Sequence, residues 1–152
     1  MSLVRLNDVS VSFDRTPVLR EAFFRLERGD RGGLIGKNGS GKSTLFNMIG
    51  ALDLPTAGTV VIEGEDMAKL SMEQLAWIRC NRMGYIFQSY NLIPVLTVSE
   101  NVEYVMILQR VPAPERRRRV AEILSDVGLA GMEGRRPPQL SGGQQQRVAV
   151  AR

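Results

Sequence analysis

A glycine-rich stretch at residues 36–44 constrains the fold of this chain more than any other feature. Its sequence, GKNGSGKST, matches the pattern G-x-x-x-x-G-K-[ST] at every fixed position. Glycines at positions 36, 39 and 41 permit a tight turn that brings backbone N–H groups close to an anion. A short apolar piece at residues 34–35 precedes the stretch, and apolar residues at helical spacing follow it. The pattern predicts a phosphate-binding loop between a strand and a helix, whose N-terminus adds unpaired N–H groups.

The side chains of this loop indicate how a nucleotide and its metal ion would be held. Lys42 would reach the outer phosphates as a point charge, and the Ser43 hydroxyl would take one coordination position on Mg²⁺. The predicted nucleotide-binding residues are the whole loop, namely Gly36, Lys37, Asn38, Gly39, Ser40, Gly41, Lys42, Ser43 and Thr44. The alternative is a glycine-rich turn that binds no ligand.

Length and composition describe one globular domain of ordinary type. The chain has 152 residues, of which 43% are hydrophobic and 24% charged, enough for a real core. No apolar run approaches the roughly 18 residues of a membrane span, and residues 1–8 do not resemble a secretory signal. The single cysteine, Cys80, fits a reducing compartment. The lack of histidine excludes His-based general bases and His metal sites within this sequence.

The net charge of +4 is distributed unevenly along the chain. Residues 110–152 hold nine Arg and four Asp or Glu, whereas residues 1–109 hold eleven Lys or Arg and twelve Asp or Glu. A basic excess can indicate nucleic acid or an anionic membrane surface. We favour a solvated helix face for the arginine run at residues 116–119, and we expect no nucleic-acid partner.

Hydrophobic periodicity predicts strands in the first part of the chain and helices in the second. We expect strands over residues 4–13, 18–26 and 59–62, a turn over 14–17, a helix after the loop, and further helices over 71–82, 98–109, 115–127 and from the segment at 140–147 to 152. Capping boxes open two of them, at Ser71 with Gln74 and at Thr97 with Glu100. Leu75, Ile78, Met83 and Trp77 should be core residues.

Two local features carry separate expectations. Gly32 and Gly33 weaken the strand before the phosphate loop, which we expect to be a poor strand or one that another backbone approaches closely. The acidic residues Glu63, Glu65 and Asp66 suggest a metal cluster at first sight, but no further ligand is spaced near them. We therefore predict a polar turn at this position.

A second glycine-rich feature, Leu140-Ser141-Gly142-Gly143-Gln144, lies late in the sequence. It offers a hydroxyl and two glycine N–H groups at a helix N-terminus, which is again suited to an anion, although a capped turn is the alternative. This pentapeptide resembles the signature motif of the ATP-binding cassette (ABC) family. Gln88, after the apolar run at residues 85–87, resembles the Q-loop glutamine of that family, the alternative being a surface amide.

The resemblance covers residues 4–152, and the segments 64–88 and 91–101 are similar to the lipoprotein-releasing and macrolide-exporting branch. It implies ATP and Mg²⁺ as cofactors, with Gln88 touching Mg²⁺ or the attacking water. Phe13 matches the aromatic residue that stacks on adenine, the alternative being a core residue on its strand. Ser141, Gly142, Gly143 and Gln144 would act in trans, each signature covering the γ-phosphate held by the other subunit's phosphate loop.

The implied fold is α/β: an incomplete P-loop NTPase core with an antiparallel β subdomain and an α-helical signature subdomain. The expected boundaries are about 1–88 for the β subdomain and core, about 89–140 for the helical subdomain, and 140–152 for the signature and its helix. The family continues to a strand ending in Asp, then a Glu and a loop with His, which this sequence lacks. We expect the chain to be an N-terminal portion, truncated before that Walker B strand and unable to hydrolyse ATP alone.

The implied function is the ATP-binding subunit of an ABC transporter, or part of one, coupling ATP binding and hydrolysis in a dimer to movement of a substrate across a membrane. The implied partners are a second ATP-binding subunit and a transmembrane permease, which would hold the chain on the cytoplasmic face of the membrane. One alternative is a nucleotide-binding module without hydrolysis. Another is a DNA-maintenance ATPase, which the interval 89–140 disfavours because it has no sustained heptads and no cysteine pairs.

Overall fold

The computed structural model describes residues 2–13 and 16–152. The chain divides into two compact units, Met1–Arg79 and Cys80–Arg152. The first unit contains a four-stranded antiparallel sheet with the order β2-β1-β3-β4. Its strands are β1 (Val4–Phe13), β2 (Thr16–Leu26), β3 (Ala57–Ile62) and β4 (Glu65–Asp66). The predicted strands at 4–13, 18–26 and 59–62 are therefore present. Asp14 and Arg15, within the predicted turn, lie outside the described residues, and Thr16 and Pro17 belong to β2.

Strand β1 changes the phase of its apolar alternation at its middle. Val4 and Leu6 are buried before this point, and Val9 and Val11 are buried after it. Asp8, whose φ is 53°, is the extra residue where the register shifts against both β2 and β3. Such a bulge keeps the apolar side chains on one face of the sheet although their spacing in the sequence changes.

The acidic stretch after β3 forms a hairpin. Glu63 and Gly64, with φ of 49° and 91°, are the two turn residues between β3 and β4. Two positive φ angles in a two-residue turn match the right-handed twist of the flanking strands. Glu65 and Asp66 form β4 itself, which corrects the prediction that they lie in the turn. Among the described residues no group of three or more candidate metal ligands occurs.

The predicted weak strand before the phosphate loop is wrong, because residues 31–37 take no strand conformation. Ile35 is 96% exposed, and a Cβ added at Gly33 would meet nothing within 4 Å. A strand needs a neighbour that accepts and donates its backbone hydrogen bonds, and strand pairing in the described part of the chain involves only β1 to β4. The apolar run at residues 85–87 also forms no strand.

Two helices begin within the first unit, α1 (Lys42–Ile49) and α2 (Met72–Arg82). The capping box predicted for α2 is present, since Ser71 Oγ accepts from the Gln74 N–H and Gln74 Oε1 accepts from the Ser71 N–H. Leu75 and Ile78 are buried as predicted. Trp77 is 55% exposed and is not a core residue, because it projects from α2 outside the stripe that these two residues form at i,i+3 spacing.

The second unit is helical. Its helices are α3 (Val98–Leu108), α4 (Ala113–Asp126) and α5 (Gly142–Ala151). The predicted capping box of Thr97 and Glu100 opens α3. Buried apolar residues from all three helices and their connections form one core: Val98, Val102, Met106, Val120, Leu124, Leu129, Leu140 and Val148. Within the described residues, no helix combines the length and hydrophobicity that crossing a membrane requires.

Two arginines of the run on α4 are paired with carboxylates of the same helix. Arg118 contacts Glu115 and Glu122, and Arg119 contacts Glu115. Hydrogen bonds from Arg118 and then Arg119 lower the pKa of Glu115 to about 2. Because the pKa is lowered, the helix keeps this pairing at neutral pH and loses it only as the pH falls toward that value. The pairing supports a solvated helix face for Arg118 and Arg119, whereas Arg116 is partly buried and bonds to Glu103 of α3.

Candidate functional site

The phosphate loop follows the irregular segment at residues 31–37 and continues directly into α1. Gly39 and Gly41 have φ of 81° and 83°, in the left-handed region that glycine adopts without strain. Gly41 is the N-cap of α1, and its carbonyl accepts from the Leu45 N–H. No side chain caps this helix, so its first N–H groups remain available to an anion.

At two of the loop glycines a side chain would be crowded by neighbouring atoms. A Cβ at Gly36 would lie 2.6 Å from Ser40 Oγ, within the same loop. A Cβ at Gly41 would lie 3.1 Å from Leu19 Cδ2 and 3.1 Å from Val18 Cγ1, both on β2. The loop is thus folded back on itself and placed against β2, and the glycines of the motif serve both conformation and close packing.

Lys42 reaches back across the loop. Its Nζ donates to Gly36 O at 2.7 Å and to Lys37 O at 2.8 Å. An ammonium group carries three donors, so one remains for a further acceptor. Residues 36–40 are exposed. The combination of a cation, left-handed glycines and an uncapped helix start suits the phosphates of a nucleotide, and the Ser43 hydroxyl, exposed in the first turn, is an oxygen donor of the type that Mg²⁺ binds.

The predicted site residues divide between the two units. Phe13 ends β1 and is 55% exposed, so its ring is not part of the core. Gln88, in the second unit, is exposed in a turn and makes no hydrogen bond to another described residue. Its amide is therefore available to a ligand.

The signature segment begins α5 with a capping box. Ser141 Oγ accepts from the Gln144 N–H at 3.3 Å, and Gln144 Oε1 accepts from the Ser141 N–H at 2.8 Å. The N–H groups of Gly142 and Gly143 find no acceptor among the described residues. The helix thus offers two glycine N–H groups and the Ser141 hydroxyl proton to an anion, while Gln144 is engaged in capping.

Sequence reasoning did not predict the strained conformation of the loop that follows Gln88. Tyr90 and Asn91 have φ of 60° and 49°, a region that non-glycine residues rarely adopt. Tyr90 Oη lies 3.7 Å from where a Cβ on Gly142 would be, and Arg152 Nη1 donates to Asn91 O at 2.7 Å. This loop therefore contacts the signature helix within the second unit. The ability of Asn to adopt positive φ was the only local signal.

The sequence analysis also did not predict that an asparagine is buried in the helical core. Asn101 is fully buried, and its carboxamide bonds to the backbone of residues 93–97. The available signal was its position, four residues after the N-cap Thr97 and between the apolar residues Val98 and Val102. A polar residue on the buried face of a helix requires partners.

Comparison with known proteins establishes the class. The family model described as ABC transporter matches residues 19–152, and the chain belongs to that family. An uncharacterized ABC transporter ATP-binding protein of Thermotoga maritima is 51% identical over 138 residues, covering 91% of this chain and 59% of its own length. The macrolide export ATP-binding/permease protein MacB of Brucella melitensis is 44% identical over 154 residues, covering 99% of this chain and 24% of its own length.

Solved structures of ATP-binding cassettes also resemble this chain. The ATP-binding cassette MJ0796, in a dimeric post-hydrolysis state bound to ADP and Pi, aligns with a TM-score of 0.88 and 38% identity, over 97% of this chain and 67% of that one. The predicted family, its macrolide-exporter-like branch and the P-loop NTPase fold class are confirmed. The chain spans about 59% of the Thermotoga relative and about a quarter of MacB.

Proposed function

We propose that this chain is the ATP-binding subunit, or part of one, of an export-type ABC transporter. The observation that carries the proposal is the phosphate loop, in which Lys42 Nζ lies within hydrogen-bond distance of Gly36 O and Lys37 O beside an uncapped helix start. The names of the relatives, a macrolide exporter and the pyoverdine exporters of Pseudomonas species, support export as the direction.

The residues of the first unit would hold the nucleotide. Backbone N–H groups of the loop and of the start of α1 would bind the phosphates, and Lys42 would add charge to the outer ones. Ser43 would contribute an oxygen to Mg²⁺, which when bound neutralises phosphate charge. The exposed ring of Phe13 would stack on adenine. The remaining loop residues, Lys37, Asn38, Ser40 and Thr44, would line the same site.

Among the residues of the second unit, the signature segment alone would complete a site in a partner. Gln88, whose amide has no partner in the described part of the chain, would approach Mg²⁺ or the attacking water. The Gly142 and Gly143 N–H groups, the Ser141 hydroxyl and the capping residue Gln144 would face the γ-phosphate bound by a second ATP-binding subunit. The dimeric cassettes among the structural neighbours support such a pair.

A transmembrane permease would be the other partner. The MacB and PvdT relatives combine ATP-binding and permease parts by name. In this arrangement the chain would sit at the cytoplasmic face of the cell membrane, held there by the permease, and closure of two ATP-binding subunits would drive substrate movement.

The test is a change at Lys42. Lys42→Ala should weaken Mg-ATP binding by about tenfold to a hundredfold, because a charge-assisted contact is worth roughly 1.5–3 kcal/mol. Lys69→Ala is the matched control, since Lys69 lies outside the loop and contacts Asp66. Calorimetric titration of the folded variants measures the effect. Equal affinity in the Lys42→Ala variant and the parent chain would contradict the assignment.

A further inference from the structure

Asn101 is a polar residue in the apolar core of the helical unit. It lies in the first turns of α3, is 0% exposed, and is flanked by Val98 and Val102, which are also fully buried. Burying an amide without hydrogen bonds is unfavourable, so its partners indicate what it does.

The carboxamide of Asn101 binds a loop rather than a helix. Nδ2 has two N–H groups, which three acceptors share: Ile93 O at 3.1 Å, Leu96 O at 3.2 Å and Thr97 O at 2.9 Å. Oδ1 accepts from the Ile93 N–H at 2.8 Å. Both backbone groups of Ile93 are thus held by one side chain, much as a neighbouring strand would hold them. These hydrogen bonds attach residues 93–97 to the buried face of α3.

The earlier part of the same loop is held differently. Tyr90 and Asn91 have positive φ, and the bonds around them are short-range or exposed: Ser89 Oγ donates to Asn91 Oδ1 at 2.8 Å, and Arg152 reaches Asn91 O. Positive φ in non-glycine residues is unfavourable and persists only where the surroundings enforce it. The conformation of residues 88–91 is therefore less strongly stabilised than that of residues 93–97.

We propose that Asn101 is a positioning residue that holds residues 93–97 in place on α3. A movement of Gln88 relative to α3 then changes the conformation of residues 88–92 only. The role of Gln88 toward a nucleotide rests on the proposed function. The anchoring by Asn101 does not, because its bonds are present without a ligand.

Amide hydrogen exchange measured by NMR on the full chain, without nucleotide, tests the anchor. In the unsubstituted chain the Ile93 amide should exchange about as slowly as the amides of α3, although it lies in a loop. In Asn101→Leu, which has similar size and no polar atoms, Ile93 exchange should accelerate at least about tenfold relative to the core amides of Leu124 and Val148.

Val102→Ala is the matched control. It leaves a cavity in the same core, one residue along α3, but removes no bond to the loop. Ile93 exchange should then rise only in step with the core amides. Equal acceleration of Ile93 and the core in Asn101→Leu would overturn the proposal. If that variant does not fold, the exchange rate of the Ile93 amide in the unsubstituted chain is the test. Exchange much faster than that of the α3 amides would overturn the proposal by itself.

Adding Mg-ATP separates this proposal from the proposed function. Amide resonances of residues 88–91 should shift, and those of residues 93–97 should not. Shifts of similar size in both segments would overturn the positioning role. Absence of any binding would contradict the proposed function, while the exchange rate of Ile93 would still decide the anchor.

Discussion

The chain begins a helix with glycines at two places, at Gly41 before α1 and at Gly142 in α5, and these two helix starts are built differently. At the phosphate loop the N-cap is a left-handed glycine without side-chain capping, and Lys42 bonds to carbonyls of the loop. At the signature segment Ser141 is extended and forms a capping box with Gln144. The first start leaves its donors to a ligand and is placed by packing against β2. The second caps the Gln144 N–H with its own Ser141 side chain and leaves only the N–H groups of Gly142 and Gly143 to a ligand.

This difference shows that glycines at two helix starts can have different structural roles. Gly41 is required for its backbone conformation and for close packing, since its φ is 83° and a Cβ would meet Val18 and Leu19. Gly143 has no positive φ and open space around its Cβ position. A glycine at such a position is not needed for folding, which is consistent with a role in leaving room for an approaching anion.

The largest expected effect is on pairing through the signature. In a complete cassette that contains this chain, Gly142→Asp should abolish ATP-induced dimerisation, because a carboxylate would face the partner's γ-phosphate and like charges at an interface are strongly unfavourable. Folding should survive, since the Cβ position has space and Asp is favourable in a first helical turn. Light scattering with Mg-ATP measures dimerisation, and monomer ATP affinity should be unchanged. Equal dimerisation of both proteins would refute an action in trans.

An intermediate effect is expected at the phosphate loop. Gly41→Ala should lower the free energy of unfolding by about 1–3 kcal/mol, because the new Cβ would be strained by the positive φ and crowded by β2. Gly143→Ala is the contrast and should be neutral or stabilising by up to about 1 kcal/mol. Urea denaturation measures both. Similar values for the two variants would remove the distinction between these helix starts.

The smallest effect is expected from the capping box. Ser141→Ala should destabilise the helical unit by about 1 kcal/mol, because the Gln144 N–H loses its acceptor. Ser141→Asp, which keeps an acceptor, is the control and should restore the stability. Thermal unfolding distinguishes them. Should Ser141→Ala unfold at the same temperature as the parent chain, the signature helix would not depend on its own cap.

Local patterns were sufficient for several elements. The capping boxes at Ser71 and Thr97 were predicted correctly, because a cap depends on residues three positions apart. The left-handed glycines of the phosphate loop follow from a motif whose requirements are also local. The helix predicted over residues 115–127 is present as α4, Ala113–Asp126, because helical spacing is also a local pattern.

Other features depended on contacts that no local pattern contains. Trp77 is apolar and adjoins a buried stripe, but its side chain is largely exposed and lies outside the core. The segment around Ile35 has the composition of a strand end, yet it has no pairing neighbour among the described residues. The strain at Tyr90 and Asn91 arises in a loop that contacts Arg152 and Gly142, at the two ends of the signature helix.

The sequence by itself determined that this chain has a phosphate loop and a signature segment, because these depend on backbone conformations and helix starts that short motifs encode. The fold class followed from the resemblance of these motifs to the ABC family. Only the tertiary structure decided that Lys42 bonds to the carbonyls of its own loop and that Asn101 holds residues 93–97 from within the core. The physical reason is that hydrogen-bond partners and burial depend on which segments meet in space, and the spacing of residues along the chain constrains this only weakly.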